Sequence, residues 1–375
     1  MRQAWPLVVS AWSLSMALLA ACGPSKAPAI SPASAAAAPA AAPAAPPPAG
    51  PPTQVDCGDF TTCAIIQGGS VRCWGRDKAG ELGDGGGADR PKGIVVRGVE
   101  NVTTIALASQ FACAVSADKK VKCWGTGRLA NDGKVKEHVR ATDVVGVDGV
   151  EELVASGAIA CARSATAITC WGADASTIGA PPAGSFVQVS AGFTHACALD
   201  KKGAVTCWGT GDWAVPKGVL AKPAITGATF LAAGDRHACV VTKDKKVQCW
   251  GQNDAGQLGT KPDAEMHKTP VTVPGVASAV KLVAGESSMC ALLGDGSARC
   301  WGANLEGELA LGKKSSDERP SKVPLLPDIA GMCLATTHGC ALTKSAKLVC
   351  WGANAAGQLG NGTKDKKLEP TLVSW

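Results

Sequence analysis

Cys197-Ala-Leu-Asp-Lys-Lys-Gly-Ala-Val-Thr-Cys-Trp-Gly209 decides the fold, because variants of this stretch recur seven times along the 375 residues. Each copy places a cysteine nine or ten positions before a Cys-Trp-Gly triplet. The pairs are Cys63 and Cys73, Cys113 and Cys123, Cys161 and Cys170, Cys197 and Cys207, Cys239 and Cys249, Cys290 and Cys300, and Cys340 and Cys350. The first cysteines stand 50, 48, 36, 42, 51 and 50 residues apart, which indicates a repeat of about 50 residues with two shortened units.

Each repeat is predicted to consist of β-strands. Val187–Gly192 alternates as a strand does, and the turn Asp200-Lys-Lys-Gly203 joins two further short strands. In this three-residue loop Asp200 pairs with Ala204, which places Cys197 opposite Cys207 at a non-hydrogen-bonded pair. Such Cα atoms lie about 4.5 Å apart, within the range of a disulfide. We therefore expect one cross-strand disulfide per repeat, contributing about 2–3 kcal/mol.

Two other roles for the cysteines are weaker. They could remain reduced as small buried apolar residues. Zinc binding is disfavoured, because zinc ligands usually come in close pairs such as Cys-x-x-Cys. No metal site and no cofactor are expected.

A second motif follows several of the tryptophans, as in Gly251–Gly259 and Gly352–Gly360. Cys-Ala-Leu, Cys-Trp-Gly and Asn-x-x-Gly-Gln-Leu-Gly together resemble the regulator of chromosome condensation repeat over residues 55–375. The resemblance implies an all-β fold, a seven-bladed β-propeller with four strands per blade. Units two, three and four lack the Gly-Gln-Leu-Gly run, so their outer loops are expected to differ.

The two ends of the repeat region are expected to meet. The chain ends with Glu369-Pro-Thr-Leu-Val-Ser-Trp375, where an inner strand should begin, so the two ends are predicted to complete one blade between them. Cys57 and Cys333 precede the first cysteines of units one and seven by six and seven residues. We expect a Cys57–Cys333 disulfide across this seam; two unpaired thiols are the alternative.

The pattern of charge and apolar residues at the N-terminus predicts an export signal. Residues 1–21 carry Arg2 and then an apolar run that is too short for a comfortable membrane span. Leu19-Ala-Ala-Cys22-Gly23 resembles the lipobox of bacterial lipoproteins, which implies lipidation of Cys22. An ordinary secretory signal with an incidental cysteine is the alternative. Residues 22–54, rich in Ala and Pro, are expected to form a disordered tether, and 55–375 the propeller.

The predicted export of the protein agrees with its cysteine content. Seventeen cysteines are too many for an ordinary cytosolic protein, but they suit an oxidising compartment. The expected location is the bacterial cell envelope, lipid-anchored through Cys22. Gly23 in place of Asp favours the outer membrane, at its periplasmic or outer surface.

Few residues suggest chemistry. His195, His237 and His338 each stand two residues before a first cysteine, where other repeats have Thr61, Phe111, Ile159 and Ser288. We expect a structural hydrogen bond inside each blade rather than a shared metal site. A hydrolase elbow, a phosphate loop and a metalloprotease helix are all missing from the sequence. The glycine-rich stretch Gly83–Gly87 is interpreted as a blade loop. No enzymatic activity is expected.

Binding residues are harder to predict. The tryptophans of Cys-Trp-Gly are expected to be structural, whereas Trp213 is a candidate exposed contact residue. Lysines cluster at 119–120, 243–246, 313–314 and 364–367, as solvated turn charge or as a basic rim for acidic glycan or lipid headgroups. A net charge of +6 does not call for a nucleic-acid partner.

The expected function is a non-catalytic protein-binding module, monomeric and held at the membrane by its lipid. Its partner is an unknown protein at the envelope or outside it. Carbohydrate binding or an architectural role on the cell surface is the alternative, and an enzyme is a third, weaker one. The resemblance does not choose among them, because the repeat family includes a nucleotide-exchange factor for a nuclear GTPase and a secreted inhibitor of β-lactamases.

Overall fold

The computed structural model describes residues 50–129, 136–172, 178–193, 195–210, 223–324, 326 and 328–375. Within these ranges, 26 β-strands form seven antiparallel sheets. No helix in the same ranges is long and apolar enough to cross a membrane. The expected signal peptide, the lipidated Cys22 and most of the tether lie outside the described residues, and so does Trp213.

Each sheet is a blade whose strands follow one another in the chain. The innermost strands are β1 (Pro52–Cys57), β5 (Val102–Leu107), β9 (Glu152–Ser156), β12 (Phe186–Ala191), β15 (Ala228–Ala233), β19 (Ala279–Ala284) and β23 (Ile329–Leu334). The second strands are β2 (Thr61–Ile66), β6 (Phe111–Ser116), β10 (Ile159–Arg163), β13 (His195–Asp200), β16 (His237–Thr242), β20 (Ser288–Leu293) and β24 (His338–Thr343).

The outer half of each blade carries the Cys-Trp-Gly triplet. The third strands are β3 (Ser70–Gly75), β7 (Val121–Gly127), β11 (Ile168–Gly172), β14 (Val205–Gly209), β17 (Val247–Gln252), β21 (Ala298–Asn304) and β25 (Leu348–Gly352). The outermost strands are β4 (Arg90–Val95), β8 (Lys136–Asp143), β18 (Met266–Thr272), β22 (Ser315–Lys322) and β26 (Lys367–Leu372). The third and fourth blades have three strands each within the described residues.

The inner strands form a closed ring. Each contacts the inner strand of the next blade, from β1 to β5 and onward, and β23 contacts β1. This arrangement is a seven-bladed propeller around a central channel, and it confirms the fold predicted from the repeats.

Every described cysteine lies in a disulfide. The seven pairs within blades sit directly opposite each other in the ladder of the second and third strands, with Cα atoms 4.0–4.1 Å apart. Cys197 pairs with Cys207 in the register that the Asp200–Gly203 turn predicts. The bridges therefore follow from turn geometry alone.

The tryptophans of Cys-Trp-Gly join the blades. Their exposed fraction is at most 3%, and each packs in the same apolar cluster as the disulfide of the preceding blade. Trp124, for example, lies with Cys63 and Cys73. Disulfide and tryptophan thus point to opposite faces of each blade, as the alternation along a strand requires.

A second contact depends on the Gly-Gln-Leu-Gly run. The indole Nε1 of Trp301 donates to the carbonyl of Gln257 in the preceding blade at 2.9 Å. Trp74, Trp124 and Trp351 donate in the same way to Gln358, Glu81 and Glu308. Trp171 and Trp208 follow blades without this run, and their indole nitrogens have no hydrogen-bond partner among the described residues.

The expected sharing of one blade between the two chain ends is wrong. Lys367–Leu372 pairs with β25 as the outermost strand of the seventh blade, and β1–β4 complete the first blade from consecutive residues. The Pro-x-x-Val segment is the end of an outer strand rather than the approach to an inner one. Pairing of β1 also begins at Pro52, three residues before the predicted start of the propeller.

Side chains close the seam instead of a shared strand. Cys57 and Cys333 form a disulfide with Cα atoms 5.6 Å apart, and Thr336 Oγ1 donates to Asp59 Oδ1 at 3.1 Å. The Trp375 ring packs edge-on against Trp74, 5.7 Å away. These contacts join the first and last blades without exchanging backbone between them.

Candidate functional site at the mouth of the central channel

The channel mouth is a cavity to which all seven blades contribute. It lies where each inner strand turns into the second strand, and its volume is about 270 Å³. Five of the turns carry a glycine, at positions 58, 157, 192, 234 and 285. The residue after the glycine or its equivalent varies around the ring, with Asp in two of the seven blades, so this is a variable position within a repeated turn.

Three carboxylates meet at this mouth. Asp59, Asp235 and Glu286 line the cavity, and the backbone N–H of Asp235 donates to the carbonyl of Glu286 at 3.1 Å. Burial, with the negative charges of Glu286 and Asp59 adding to it, raises the pKa of Asp235 to about 7. The mouth therefore holds concentrated negative charge on one side of the ring.

Asp56 also lines the cavity but has a structural partner. Its Oδ2 accepts a hydrogen bond from the backbone N–H of Leu107 in the next blade at 2.7 Å. Burial raises the pKa of Asp56 to about 7 even though this N–H favours the carboxylate. Gln188 makes an equivalent pair of bonds to the backbone of Leu231 at 2.8 Å. Polar side chains of the inner strands thus link neighbouring blades across the channel wall.

Phe193 is the aromatic residue of the mouth. Its exposed fraction is 44%, high for a large apolar side chain, and its ring lies against Gly157 of the third blade. A second depression of about 590 Å³ adjoins the channel and is lined by Phe193, Asp235, Asp254 and Glu286 among others. An exposed aromatic ring beside three carboxylates is a surface suited to binding.

The glycines of these turns are required by space. A Cβ at Gly234 would stand 2.2 Å from Cε1 of His237 and 2.5 Å from the carbonyl oxygen of Gly285. A Cβ at Gly192 would meet His195 and Gly234 just as closely. The histidine rings therefore pack directly over the turns that form the mouth.

The three histidines are neutral structural groups. Burial lowers the pKa of His195 to about 3, of His237 to about 4 and of His338 to about 3. The expected bond inside the blade is wrong for His338, whose Nε2 bonds Thr62 Oγ1 of the first blade at 2.8 Å. The bond crosses the blade boundary because these side chains face the neighbouring blade rather than their own sheet.

One group of residues has ligand atoms close enough for a metal ion among the described residues. Ligand atoms of Cys57, His338 and Cys340 lie within 4.8 Å of one another. Both sulfurs are held in disulfides, to Cys333 and Cys350, and zinc binds the thiolate form of cysteine. The oxidised protein therefore offers no zinc site there.

Two of the lysine clusters are neutralised by carboxylates. Lys314 and Lys366 both pair with Glu306, Lys313 pairs with Glu318, and Lys364 lies 3.6 Å from Asp89. Lys119 and Lys245 stand in hairpin turns with positive φ, as their sequence positions predict. The lysines at 313–314 and 364–366 act between loops rather than as a free basic rim.

The sequence did not single out Phe193, Asp235 or Glu286. Each directly follows the glycine of a Gly-x-x-His or Gly-x-x-Ser turn. Comparing this position between repeats would have identified them, because only the channel mouth brings these positions together.

The fold and the site define the class of protein: a seven-bladed propeller with disulfide-linked strands and a polar, partly aromatic channel mouth. Models of the regulator of chromosome condensation repeat match residues 53–81, 186–212, 229–257 and 279–308, and a second model of the same repeat matches 246–292 and 347–375. These matches identify regulator of chromosome condensation repeats in the first, fourth, fifth, sixth and seventh blades of the propeller.

Among curated proteins, the chain is similar to the human E3 ubiquitin-protein ligase HERC2, with 28% identity over 159 residues. It is also similar to the ultraviolet-B receptor UVR8 of Arabidopsis thaliana, with 33% identity over 82 residues. The matches cover 41% and 21% of this chain, but only 3% of HERC2 and 19% of UVR8.

Solved structures share the fold. Prp20p of Saccharomyces cerevisiae, described with its binding to Gsp1p and histones, has a TM-score of 0.71 at 19% identity, covering 87% of this chain and 86% of its own. Human WBSCR16 has a TM-score of 0.68 at 20% identity, covering 82% of this chain and 95% of its own. Identity this low shows a common architecture and does not transfer a partner.

Proposed function

We propose that this protein is a lipid-anchored component of the bacterial envelope whose propeller binds another protein through the mouth face. The mouth face is defined here as the channel mouth and the adjoining depression around Phe193. The observation that carries the proposal is the exposure of Phe193 beside Asp235, Asp254 and Glu286. Aromatic side chains at the centre of a patch commonly dominate the free energy of protein binding.

The charge of this face indicates what kind of partner fits. The carboxylates beside Phe193 outnumber Arg236 in the lining of the depression, so this face complements a protein segment that presents Lys or Arg next to an apolar side chain. The same carboxylates repel phosphate, which supports the absence of a nucleic-acid partner. The binding of Prp20p to Gsp1p and histones is a precedent for a propeller of this shape engaging proteins.

We infer a non-catalytic role from the groups around the mouth that are committed to structure, although the carboxylates of Asp59, Asp235 and Glu286 converge there. Asp56 is bonded to the next blade, and the histidines are buried and neutral. A basic rim for acidic glycan is not favoured at 313–314 and 364–366, because these lysines are paired with acids. Protein binding is therefore the better supported function.

Envelope anchoring rests on the N-terminal sequence and on the disulfides. Labelled palmitate fed to cells that produce the full chain should enter the protein, and Cys22→Ala should abolish both the label and membrane association. Equal labelling of the variant would exclude Cys22 as the lipidated residue.

The binding proposal is tested by capture with matched surface variants. The oxidised full chain, tagged at its C-terminus, is recovered from its own bacterium after cross-linking, and bound proteins are quantified by mass spectrometry. Phe193→Ser should lower recovery of the main partner at least about tenfold, since truncating a central aromatic residue commonly costs more than 1.4 kcal/mol. The control is Val280→Ser at the opposite end of an inner strand, where the exposed fraction is a similar 41%.

Equal recovery with both variants would remove the mouth face as the binding surface. Recovery of polysaccharide, with no protein above the level of a reduced and unfolded control, would favour the glycan alternative.

A further inference from the structure

Asparagine closes the loop after the third strand in three blades. Asn354 Oδ1 accepts from the backbone N–H of Leu359 at 3.0 Å, while its Nδ2 donates to the carbonyl of Thr363 at 3.0 Å. Asn253 and Asn304 bond in the same way, each with Oδ1 to a leucine N–H and Nδ2 to a later carbonyl. The side-chain amide thus joins the two halves of each loop, using both a donor and an acceptor.

The first blade has Asp77 at this position. Asp77 Oδ1 accepts from the backbone N–H of Leu82 at 2.9 Å, as the asparagines do. Asp77 Oδ2 takes the place of the donating nitrogen, and no donor among the described residues reaches this buried oxygen, although the Asp84 carboxylate lies within hydrogen-bond range of the Asp77 side chain. The residue has an exposed fraction of 0%. Asp77 Oδ2 therefore faces a loop that, in the blades with asparagine, supplies carbonyl oxygens as acceptors. A positive charge is missing between Oδ2 and such acceptors.

Each of the carboxylates around Asp77 already has a positive partner. Glu81 pairs with Arg76 at 2.8 Å, Asp84 with Arg90 at 3.3 Å, and Asp89 with Lys364 at 3.6 Å. The guanidinium of Arg140 lies against Gly85. Asp77 takes part in no ion pair among the described residues, although three other carboxylates surround it.

We propose that Asp77 Oδ2, the Asp84 carboxylate and carbonyl groups of residues 85–87 bind a hard divalent cation of the calcium type. Asp84 also accepts from the N–H of Gly86 at 2.6 Å and pairs with Arg90. The Gly83 carbonyl is not a ligand, because it accepts from the N–H of Arg97 at 3.0 Å. All these ligands are oxygens, which such cations prefer. Glycines let the backbone bring carbonyls close to an ion, and Gly83 and Gly85 have positive φ. The cation replaces the amide hydrogens of Asn253, Asn304 and Asn354 and supplies the missing charge.

The loop that forms the proposed cation site also contacts the second blade. The carbonyl of Glu81 accepts from Trp124 Nε1 at 2.8 Å, and Gly85 N–H donates to the carbonyl of Val139 at 2.9 Å. A bound ion holds the loop that makes both contacts. Cation binding is therefore expected to stabilise the ring rather than to serve chemistry.

A proton is the competing occupant. Burial, with the nearby Asp84 and Glu81 carboxylates adding to it, raises the pKa of Asp77 to about 7. A protonated Asp77 could donate as asparagine does. The experiment therefore has to separate calcium from protons.

The experiment uses the oxidised full chain, freed of metal with a chelator and held at pH 8. Thermal unfolding is followed while CaCl2 is added, with NaCl at equal ionic strength as the reference. The midpoint should rise in a saturable way by roughly 2–6 °C, as expected for a ligand that binds only the folded state. Calorimetric titration should show one site per chain.

Asp77→Asn is the decisive variant, because it restores the amide that other blades use and should fold. Its midpoint in chelator should exceed that of the unchanged protein, and calcium should have no further effect. Asp365→Asn, in the corresponding loop of the seventh blade, is the control and should keep the full calcium response. An equal calcium response in Asp77→Asn would overturn the proposal. So would a protein that ignores calcium at pH 8 and gains stability only on acidification, which would assign the position to a proton.

Discussion

The indole nitrogen of Trp74 donates a hydrogen bond to the carbonyl oxygen of Gln358, 2.9 Å away, although the residues are 284 positions apart in the chain. Elsewhere the same bond joins neighbouring blades, from Trp124 to Glu81 and from Trp351 to Glu308. The seam between the first and last blades therefore repeats an ordinary blade boundary. What distinguishes it is the added Cys57–Cys333 disulfide.

Trp301→Phe should destabilise the protein by about 1–2 kcal/mol more than Trp208→Phe. Both rings are buried, but within the described ranges only the nitrogen of Trp301 is bonded, so only its loss leaves the carbonyl of Gln257 unpaired. Guanidinium unfolding of the oxidised variants measures the difference. Equal losses would show that the interblade bond contributes nothing beyond the ring.

Gly234→Ala should destabilise the protein by about 2–3 kcal/mol, because the new methyl group collides with His237 and with the carbonyl of Gly285. Gly331→Ala is the matched control, since a Cβ there meets nothing within 4 Å. Chemical unfolding should place the control within about 0.5 kcal/mol of the unchanged protein. A mild effect at Gly234 would mean that the turn relaxes and that the mouth is less rigid than its contacts indicate.

Asp235→Asn should stabilise the protein at pH 8 and change little at pH 4. The pKa of Asp235 is raised to about 7 in the folded state from an ordinary 3.8, so folding favours the protonated form. That stability is present below pH 4 and is lost as pH rises towards 7, and an amide avoids the loss. Stability curves at several pH values test this.

Asp295→Asn should change the stability at pH 8 in the opposite direction. Hydrogen bonds from Ser297 lower the pKa of Asp295, so this carboxylate favours the folded state when charged. Removing its charge should slightly destabilise the protein at pH 8. A gain at pH 8 for both variants would point to a general effect of removing a carboxylate rather than to the mouth.

Replacing Cys57 and Cys333 together by Ala should cost more stability than replacing Cys239 and Cys249. The blade bridge closes a loop over a separation of 10 residues and is worth about 3 kcal/mol in the chain-entropy model, whereas the seam bridge spans 276. Thermal unfolding of both double variants provides the comparison. A seam variant as stable as the unchanged protein would show that Trp375 and the seam hydrogen bonds suffice to hold the ring.

The repeat made most of the fold predictable. Regular spacing of Cys-Trp-Gly predicts the number of blades, and the Asp200–Gly203 turn sets the register that pairs Cys197 with Cys207. These features are local, so a single sequence contains them. The missing Gly-Gln-Leu-Gly run in units two and three likewise agrees with the unpaired nitrogens of Trp171 and Trp208.

Features that depend on closure of the ring were harder to predict from the sequence. Whether Lys367–Leu372 is an outer strand or the first part of an inner one depends on which edge is free, and the local pattern does not contain that information. The mouth unites Asp59, Phe193, Asp235 and Glu286 from four blades, and only a comparison of the position after each turn glycine across the repeats points to them in the sequence. Cys22 and Trp213 lie outside the described residues, so their roles remain predictions.

The disulfide pattern also sets the order in which the protein can oxidise during synthesis. Each blade's cysteines are nearest neighbours in the chain, so a blade can complete its bond as soon as its hairpin is made. Cys57 has no such partner and must wait as a free thiol until Cys333, 276 residues later, has been made. The Cys57–Cys333 bond can therefore form only when the ring is complete. Until then, Cys57 is the cysteine most exposed to mispairing.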